Sequence, residues 1–273
     1  MSIITSRLVP IQHFYRSGPM PCPYLPGQTE RKLFTRIGGG GQGCALNATL
    51  TRAGFRRSHD ILYRPVCPAC AACVPVRVPV AAFIPSRGFR RVLRRNQDLH
   101  LTAAPATPTH EQFRLFSRYQ DSRHGDSDMA RMSPADYGTM VEEGSAETLL
   151  LEARDPKGNL LAVMLTDRLP DGYSAVYCFY DPEHDRRSLG TFMILSLFTL
   201  ARHRETRLEM PPEMPPEALS EAFSEARSSD GAYVYLGYWI ATSDKMAYKA
   251  RFQPLEALGP EGWRRLNHTK YLP

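Results

Sequence analysis

Residues 148–181 read TLLLEARDPKGNLLAVMLTDRLPDGYSAVYCFYD, and the order of the fold is set there. Three apolar runs, TLLLEARD (148–155), LLAVMLTDRL (160–169) and YSAVYCFYD (173–181), are separated only by PKGN and PDG. Joins that short leave no room for a crossover, so the runs are predicted to be antiparallel neighbours in one sheet. The pattern then changes. RSLGTFMILSLFTLARHR is apolar nearly throughout and predicts a buried helix opening near Ser188. An acidic, proline-flanked helix is expected at 215–228, a strand at AYVYLGYWI (232–240), and a helix starting around Ser243 in SDKMAYKARF.

Working outward, ILYRPV (61–66) and VPVRVPV (74–80) read as short strands whose prolines favour edges or ends. GGGG at 38–41 reads as a mobile loop. SRGFRRVLRRNQDL, from Ser86, predicts a basic helix with Ser86 as its N-cap. PATPTH (105–110) marks a boundary, followed by helices at 111–124 and 133–144, the second opened by Ser133 and Pro134. The expected class is α+β: a mixed sheet with helices, laid out like the acyltransferase fold of the N-acetyltransferases, plus an N-terminal Cys/Arg-rich subdomain. Residues 1–104 form the first region and 105–273 the second, with an acidic insert at about 205–231.

The 273 residues carry a net charge of +6, and the charge is uneven. Residues 52–95 hold ten arginines and one acid, Asp60, whereas 209–230 hold six acids and Arg227 alone. Of 34 basic residues, 29 are arginine, the cation suited to bidentate phosphate or carboxylate recognition. A basic half of this kind fits a polyanion. No apolar run approaches the ~18 residues of a membrane span, and the first residues lack the apolar core of a signal peptide. A cytoplasmic protein is expected, with no membrane and no DNA among its partners.

CPACAAC places Cys67, Cys70 and Cys73 at strict three-residue spacing. A tight turn can bring two such thiolates onto one ion, and a structural site wants a fourth ligand. Cys22 or His59 can supply it; the alternative is that the cysteines are small buried residues beside a strand. Proline and valine runs flank the motif, which argues against a thioredoxin-like redox site. In the basic helix, Arg87, Arg90, Arg91, Arg94 and Arg95 fall mostly on one face without interleaved acids, a phosphate-binding pattern. RRSLGT (186–191) puts Ser188 and Gly190 at a helix N-terminus, where free N–H groups attract anions. Phe192 departs from the small residue that a coenzyme A pyrophosphate loop expects two positions after its glycine. Lys245, Tyr248 and Lys249 lie within about one helical turn after an aromatic strand and suggest a site. No Ser-His-Asp order, GKS/T loop or HExxH is present.

Together CPYLPG, GFRRSHDILYRP, CPACAACVPVRVPV, RRVLRRN, FYDP, RSLGT and YLGYWIATSDKMAYKARFQPLE resemble the bacterial aspartate/glutamate leucyltransferases, relatives of the eukaryotic arginyl-tRNA–protein transferases. The match runs from about Cys22 to Glu256. It implies transfer of leucine from leucyl-tRNA to proteins beginning with Asp or Glu, marking them for N-degron degradation. It also implies that the cysteine region holds a metal: Cys22, Cys67, Cys70 and Cys73 are the candidates, for zinc or an iron–sulfur cluster, while the reaction itself requires no cofactor. The insert at 205–231 is longer than the family pattern, and the GGGG run is unusual for it.

The chemistry is aminolysis of an ester, so positioning outweighs base strength. The roles expected are as follows. Arg56, Arg57 or Arg77 grips the acidic side chain of the acceptor, and Tyr24 belongs to the same substrate-binding group. Tyr180 and Asp181 orient or deprotonate the amine. Ser188 and Gly190 hold the terminal phosphate or ribose of the tRNA. Lys245, Tyr248 and Lys249 contact that end or the developing oxyanion. Arg90, Arg91, Arg94 and Arg95 hold the acceptor stem. Three rivals stay open: a coenzyme A-dependent acetyltransferase, a metal-dependent RNA-binding protein, and an arginyl rather than leucyl donor.

Overall fold

The structure is a computed structural model and describes residues 11–125, 127–144, 147–205, 213–214 and 232–266. Its elements run β1 (Tyr15–Arg16), β2 (Met20–Pro21), β3 (Thr29–Glu30), β4 (Lys32–Arg36), α1 (Gly40–Arg52), β5 (Arg56–Ser58), β6 (Ile61–Pro65), β7 (Val74–Pro79), α2 (Arg87–Arg95), β8 (His100–Pro105), α3 (His110–His124) and α4 (Pro134–Glu142). They continue with β9 (Thr148–Arg154), β10 (Leu160–Leu169), β11 (Gly172–Tyr180), α5 (Leu189–Glu205), β12 (Glu213–Met214), β13 (Tyr233–Trp239), α6 (Asp244–Ala247), β14 (Glu256–Gly259) and β15 (Gly262–Arg265). The acidic helix expected at 215–228 lies outside the described residues.

β9, β10 and β11 are the three antiparallel neighbours expected from residues 148–181. They sit inside a nine-stranded sheet ordered β12-β8-β9-β10-β11-β13-β7-β14-β15. β11 and β13 are its one parallel pair among the described residues. The sheet crosses the PATPTH segment, because β7 and β8 precede it in the chain and lie in the same sheet as β9–β11. On one face α5 and α2 enclose a core containing Val76, Phe83, Phe89, Leu189, Phe192, Phe198 and Phe252. Phe192 is fully buried there. On the other face α3 and α4 cover Leu150, Val163, Leu165 and Phe179 with Leu115, Phe116, Tyr137 and Met140. A smaller sheet, β1-β4-β6-β5, carries α1, whose Leu50 packs with Phe55 and Leu62.

The caps are those the sequence predicts. Ser86 accepts from the Phe89 amide at the start of α2, and Ser133 accepts from Asp136 at the start of α4 with Pro134 in the first turn. GGGG is the exception. Gly40 is the first residue of α1, and Gly43 lies inside it, so close to the Gly38 carbonyl that a Cβ would overlap that oxygen. Gly38 to Gly41 themselves have open space around them, with Gly40 at φ +67°, and the run leads into a helix rather than forming a loop.

The two sheets are joined by a buried bidentate ion pair. Arg57 donates from Nε and Nη2 to Asp167 at 2.7 and 2.9 Å, and both side chains are 1% exposed. Asn47 and Thr148 donate to the same carboxylate. The Tyr238 hydroxyl lies 3.0 Å from the carbonyl oxygens of Gly54 and of Tyr63, donating to one at a time.

Candidate active site

β11 and β13 pair at only three positions: Gly172 with Tyr233, Tyr173 with Val234, and Ser174 with Tyr235. Beyond Ser174 the strands part, and a cavity of about 860 Å³ opens between them. β5 and β6 wall it with Arg56, Arg57, Ser58, His59 and Tyr63; α3 with Tyr119 and Arg123; the start of α5 with Gly190, Thr191 and Ile194. Lys245, Met246, Tyr248 and Lys249 close the remaining side.

Arg56 stands in the gap. Its Nη2 donates to the carbonyls of Ala175 (3.3 Å) and Val176 (2.6 Å) on β11, and its Nη1 to Leu236 on β13 (3.2 Å). Arg57 is turned the other way into its ion pair with Asp167. Lys249 is buried, with Nζ donating to the Tyr238 carbonyl at 2.6 Å and lying 3.4 Å from the Met246 sulfur. Desolvation, with the Arg56 cation nearby, holds its ammonium well below the usual lysine value. Burial raises Tyr119 and Tyr180 and pushes Tyr177 and Tyr248 up to about 12, so these hydroxyls stay protonated and can donate. Burial alone pushes the Cys178 thiol up to about 12, which leaves it a poor nucleophile. Arg123 and Lys245 reach the cavity from exposed positions and have no carboxylate partner among the described residues. Arg123 lies 5.8 Å from the Tyr180 ring centre. The wall also has an apolar sector of Met129, Met140, Met164, Leu165, Val176 and Ile194.

Of the residues singled out in the sequence, the cavity brings together Tyr24, Arg56, Arg57, Tyr180, Ser188, Gly190, Lys245, Tyr248 and Lys249. Two are elsewhere. Arg77 is ion-paired with Glu256 at 2.8 Å and stacked 3.5 Å from the Tyr233 ring centre and 4.5 Å from that of Trp263. Asp181 is buried as the cap of the 182–187 turn, accepting from the Glu183 amide, with Arg118 and His184 each 3.5 Å away. Tyr119, Tyr177 and Arg123 were not legible as site residues, and His59 was legible only as an alternative metal ligand. The one signal was the i, i+4 spacing that puts Tyr119 and Arg123 on one face of α3.

Arg90, Arg91, Arg94 and Arg95 lie on the exposed face of α2, outside the cavity. None has a carboxylate partner among the described residues. The end of α2 abuts the turn that leads into α5: Arg95 donates to the Arg186 carbonyl, and Asn96 donates to the Arg187 carbonyl at 2.9 Å. The basic face therefore continues to the cavity rim at Ser188.

The cysteines form a separate pocket of about 40 Å³, lined by Cys22, Cys67, Cys70 and Cys73 with Glu30. The β2–β3 pairing brings Cys22 there, its amide donating to the Gln28 carbonyl. Burial, then the neighbouring Cys22, Cys67 and Cys70, pushes the Cys73 thiol up to about 12. The pocket has room for about one water-sized particle, and among the described residues no group of three or more His, Cys, Asp or Glu side chains is placed to hold a metal ion. His59 lies on the large cavity instead.

Residues 111–259 match the family model described as Arginine-tRNA-protein transferase, C terminus, and residues 20–91 match the one described as its N terminus. The chain belongs to the arginine-tRNA-protein transferase family. Among its relatives, proteins named Aspartate/glutamate leucyltransferase are 49% identical in Parvibaculum lavamentivorans, over 92% of this chain and 93% of that one, and 47% identical in Paramagnetospirillum magneticum, with the same shares. The one from Gluconacetobacter diazotrophicus is 48% identical over 95% of this chain and 90% of its own. A solved structure, L-PGS from Bacillus licheniformis, covers 67% of this chain and 57% of its own at 10% identity and a TM-score of 0.46. The family's C-terminal model takes in the cavity wall from Tyr119 to Lys249, and its N-terminal model takes in the cysteine pocket and Arg56. No helix of the described residues is long and apolar enough to cross a membrane.

Proposed function

We propose that the chain moves leucine from leucyl-tRNA to the N-terminal Asp or Glu of acceptor proteins, in the cytoplasm, and so marks them for N-degron degradation. The observation that supports this most is the cation-lined cavity at the parting of β11 and β13 in a chain that matches relatives named leucyltransferase nearly end to end. The apolar sector around Met140, Met164 and Leu165 favours a leucyl over an arginyl side chain, because burying an unpaired guanidinium against methionines would be costly.

The acceptor amine attacks the ester carbonyl carbon. A C–N bond forms, the bond to the ribose oxygen breaks, and the proton lost by the amine ends on that oxygen. An α-amine with pKa about 7.7–8.0 is partly free base at neutral pH, so no strong base is needed. Alignment supplies most of the rate, about 7–11 kcal/mol for well-oriented reactants. In our reading Arg123 holds the acceptor carboxylate and Lys245 the tRNA end at the Ser188–Gly190 rim. Lys249 takes the proton and returns it to the leaving oxygen. The hydroxyls of Tyr180 and Tyr248, with N–H groups on the open edge of β11, face the developing oxyanion. The acceptor stem lies along Arg90, Arg91, Arg94 and Arg95. Cys22, Cys67, Cys70 and Cys73 would hold one zinc ion, which ties the β2–β3 hairpin to the 67–73 loop and takes no part in the reaction. The small pocket favours a single ion over an iron–sulfur cluster.

The test uses purified protein, a model peptide beginning with Asp, and tRNA charged with labelled leucine or arginine. Label is expected in the peptide from leucyl-tRNA alone. Transfer from arginyl-tRNA would overturn the donor, and no transfer from either would overturn the function.

A further inference from the structure

The strands that enclose the large cavity part because each carries one residue too many at the same level. Against β10, the register of β11 steps from Leu165–Tyr177 to Thr166–Ala175 and leaves Val176 unmatched. Against β7, the register of β13 steps from Tyr235–Arg77 to Gly237–Val76 and leaves Leu236 unmatched. A bulge drops its extra residue from the ladder and bends its strand. Two bulges facing each other across a parallel pair open the gap and leave carbonyl groups without a strand partner. Arg56 accounts for three of them: Ala175, Val176 and Leu236. Gly237 is shaped to that side chain. It holds φ +73°, and a Cβ there would overlap Nη1 and Cζ of Arg56.

We propose that Arg56 is a positioning residue that sets the width of this gap and selects the class of donor. The inference rests on the transfer reaction proposed above. A donor whose reactive group rides on an extended, amide-bearing arm, as the thioester of coenzyme A does, needs carbonyl acceptors along the strands it threads between. The guanidinium already occupies those acceptors, and displacing it would leave a half-buried cation without them. An aminoacyl ester on a ribose has no such arm and enters from the Ser188 rim. Arg56 thus holds the gap at the width the ester needs and closes it to acyl-coenzyme A.

Arg56→Met keeps the length of the side chain and removes its donors. Arg56→Lys keeps the charge but cannot reach carbonyls on both strands at once. Both variants are expected to lower kcat for leucyl transfer by about 10- to 100-fold, the cost of misplacement by about an ångström, with KM for the Asp peptide unchanged. Gly237→Ala should do the same, and the Arg56→Met/Gly237→Ala pair should be no slower than the worse single variant. A rise in KM for the peptide at unchanged kcat would overturn the proposal and make Arg56 the acceptor's carboxylate receptor. Independent losses that multiply would also overturn it. Two readouts do not need the transfer reaction. Amide exchange should quicken at 175–177 and 236–238 in Arg56→Met but not in β9, and unchanged exchange would overturn the strut. Calorimetry with millimolar coenzyme A should show binding to Arg56→Met and none to the unsubstituted protein. Equal behaviour of the two would overturn the donor selection. Absence of transfer by the unsubstituted protein, with these two readouts as expected, would remove the transferase reading and leave the strut standing.

Discussion

The thiol-lined pocket and the large cavity are neighbours, and they are built in opposite ways. β6 borders both: Pro65 faces the small pocket and Tyr63 the large one. Tyr24 lines the large cavity, and burial, then Tyr63 and, more weakly, Cys73 of the small pocket raise its hydroxyl above the ordinary tyrosine value. The small pocket gathers four thiols, with Glu30 beside them, around about 40 Å³. The large one offers about 860 Å³, an apolar sector, protonated hydroxyls, and the cations of Arg123 and Lys245, which have no carboxylate partner among the described residues. A thiol-rich site with no spare room can hold something; a site with spare room and unlike groups can bring two reactants together. In the function proposed above, the cysteines belong to the framework and the parting of β11 and β13 to the chemistry.

The wall shared by the two is the first place to break this contrast. Arg57→Ala would leave Asp167 buried with only Asn47 and Thr148 as partners. It should cost about 3–5 kcal/mol of stability, measured by urea unfolding, and should weaken both sites together. The cysteine pocket should be separable from the chemistry. With metal at a thousandfold excess over its Kd, chelation or Cys70→Ser should remove about 4 kcal/mol of stability. At temperatures where the chain stays folded kcat should hold, and metal content by mass spectrometry gives the stoichiometry. The large cavity should answer in the other currency. Arg123→Ala should raise KM for an Asp peptide by the equivalent of about 1.5–3 kcal/mol, the value of a charge-assisted hydrogen bond, without lowering the melting temperature. On the exposed face of α2, Arg94→Ala should reduce the slope of log affinity for tRNA against log salt by about 0.7–0.9, read by filter binding.

The smallest effect is a pH dependence. Lys249 titrates lower in the folded chain than in the unfolded one, so the unfolded state binds more protons and folding gains stability from this group as pH rises. The advantage of Lys249→Met over the unsubstituted protein should therefore be largest at low pH and shrink as pH rises towards the ordinary lysine value. An advantage independent of pH would mean that Lys249 keeps its ordinary affinity for protons.

Much of the frame was legible because short turns and apolar runs constrain strands directly. β9, β10 and β11 fall within a residue or so of their predicted bounds. Ser86 and Ser133 cap as their hydroxyls suggest. α1 was not legible at its start, since glycine propensity speaks for a loop; the helix is held by Ala48 packing with Leu169 and Tyr235 and by Leu50 packing with Phe55 and Leu62. β8, β14 and β15 are short, and β8 mixes proline and alanine; their pairing comes from neighbours far along the chain. At the site, chain position showed that Lys245, Tyr248 and Lys249 cluster, but not which way a strand residue points. The bulges at Val176 and Leu236 shift that parity, and no residue type announces them. Arg77 shows the consequence: on a strand its direction follows register, and register sends it to Glu256 and Trp263. Asp181 stands before Pro182 and Glu183, a capping pattern that outweighs its position at a strand end.

The most direct test is a crystal structure with a hydrolysis-resistant mimic of leucyl-adenosine. The account predicts the leucine side chain against Met164 and Leu165, the carbonyl in the gap beside Val176, and the ribose at Ser188. A mimic bound elsewhere, with the gap between β11 and β13 empty, would contradict it.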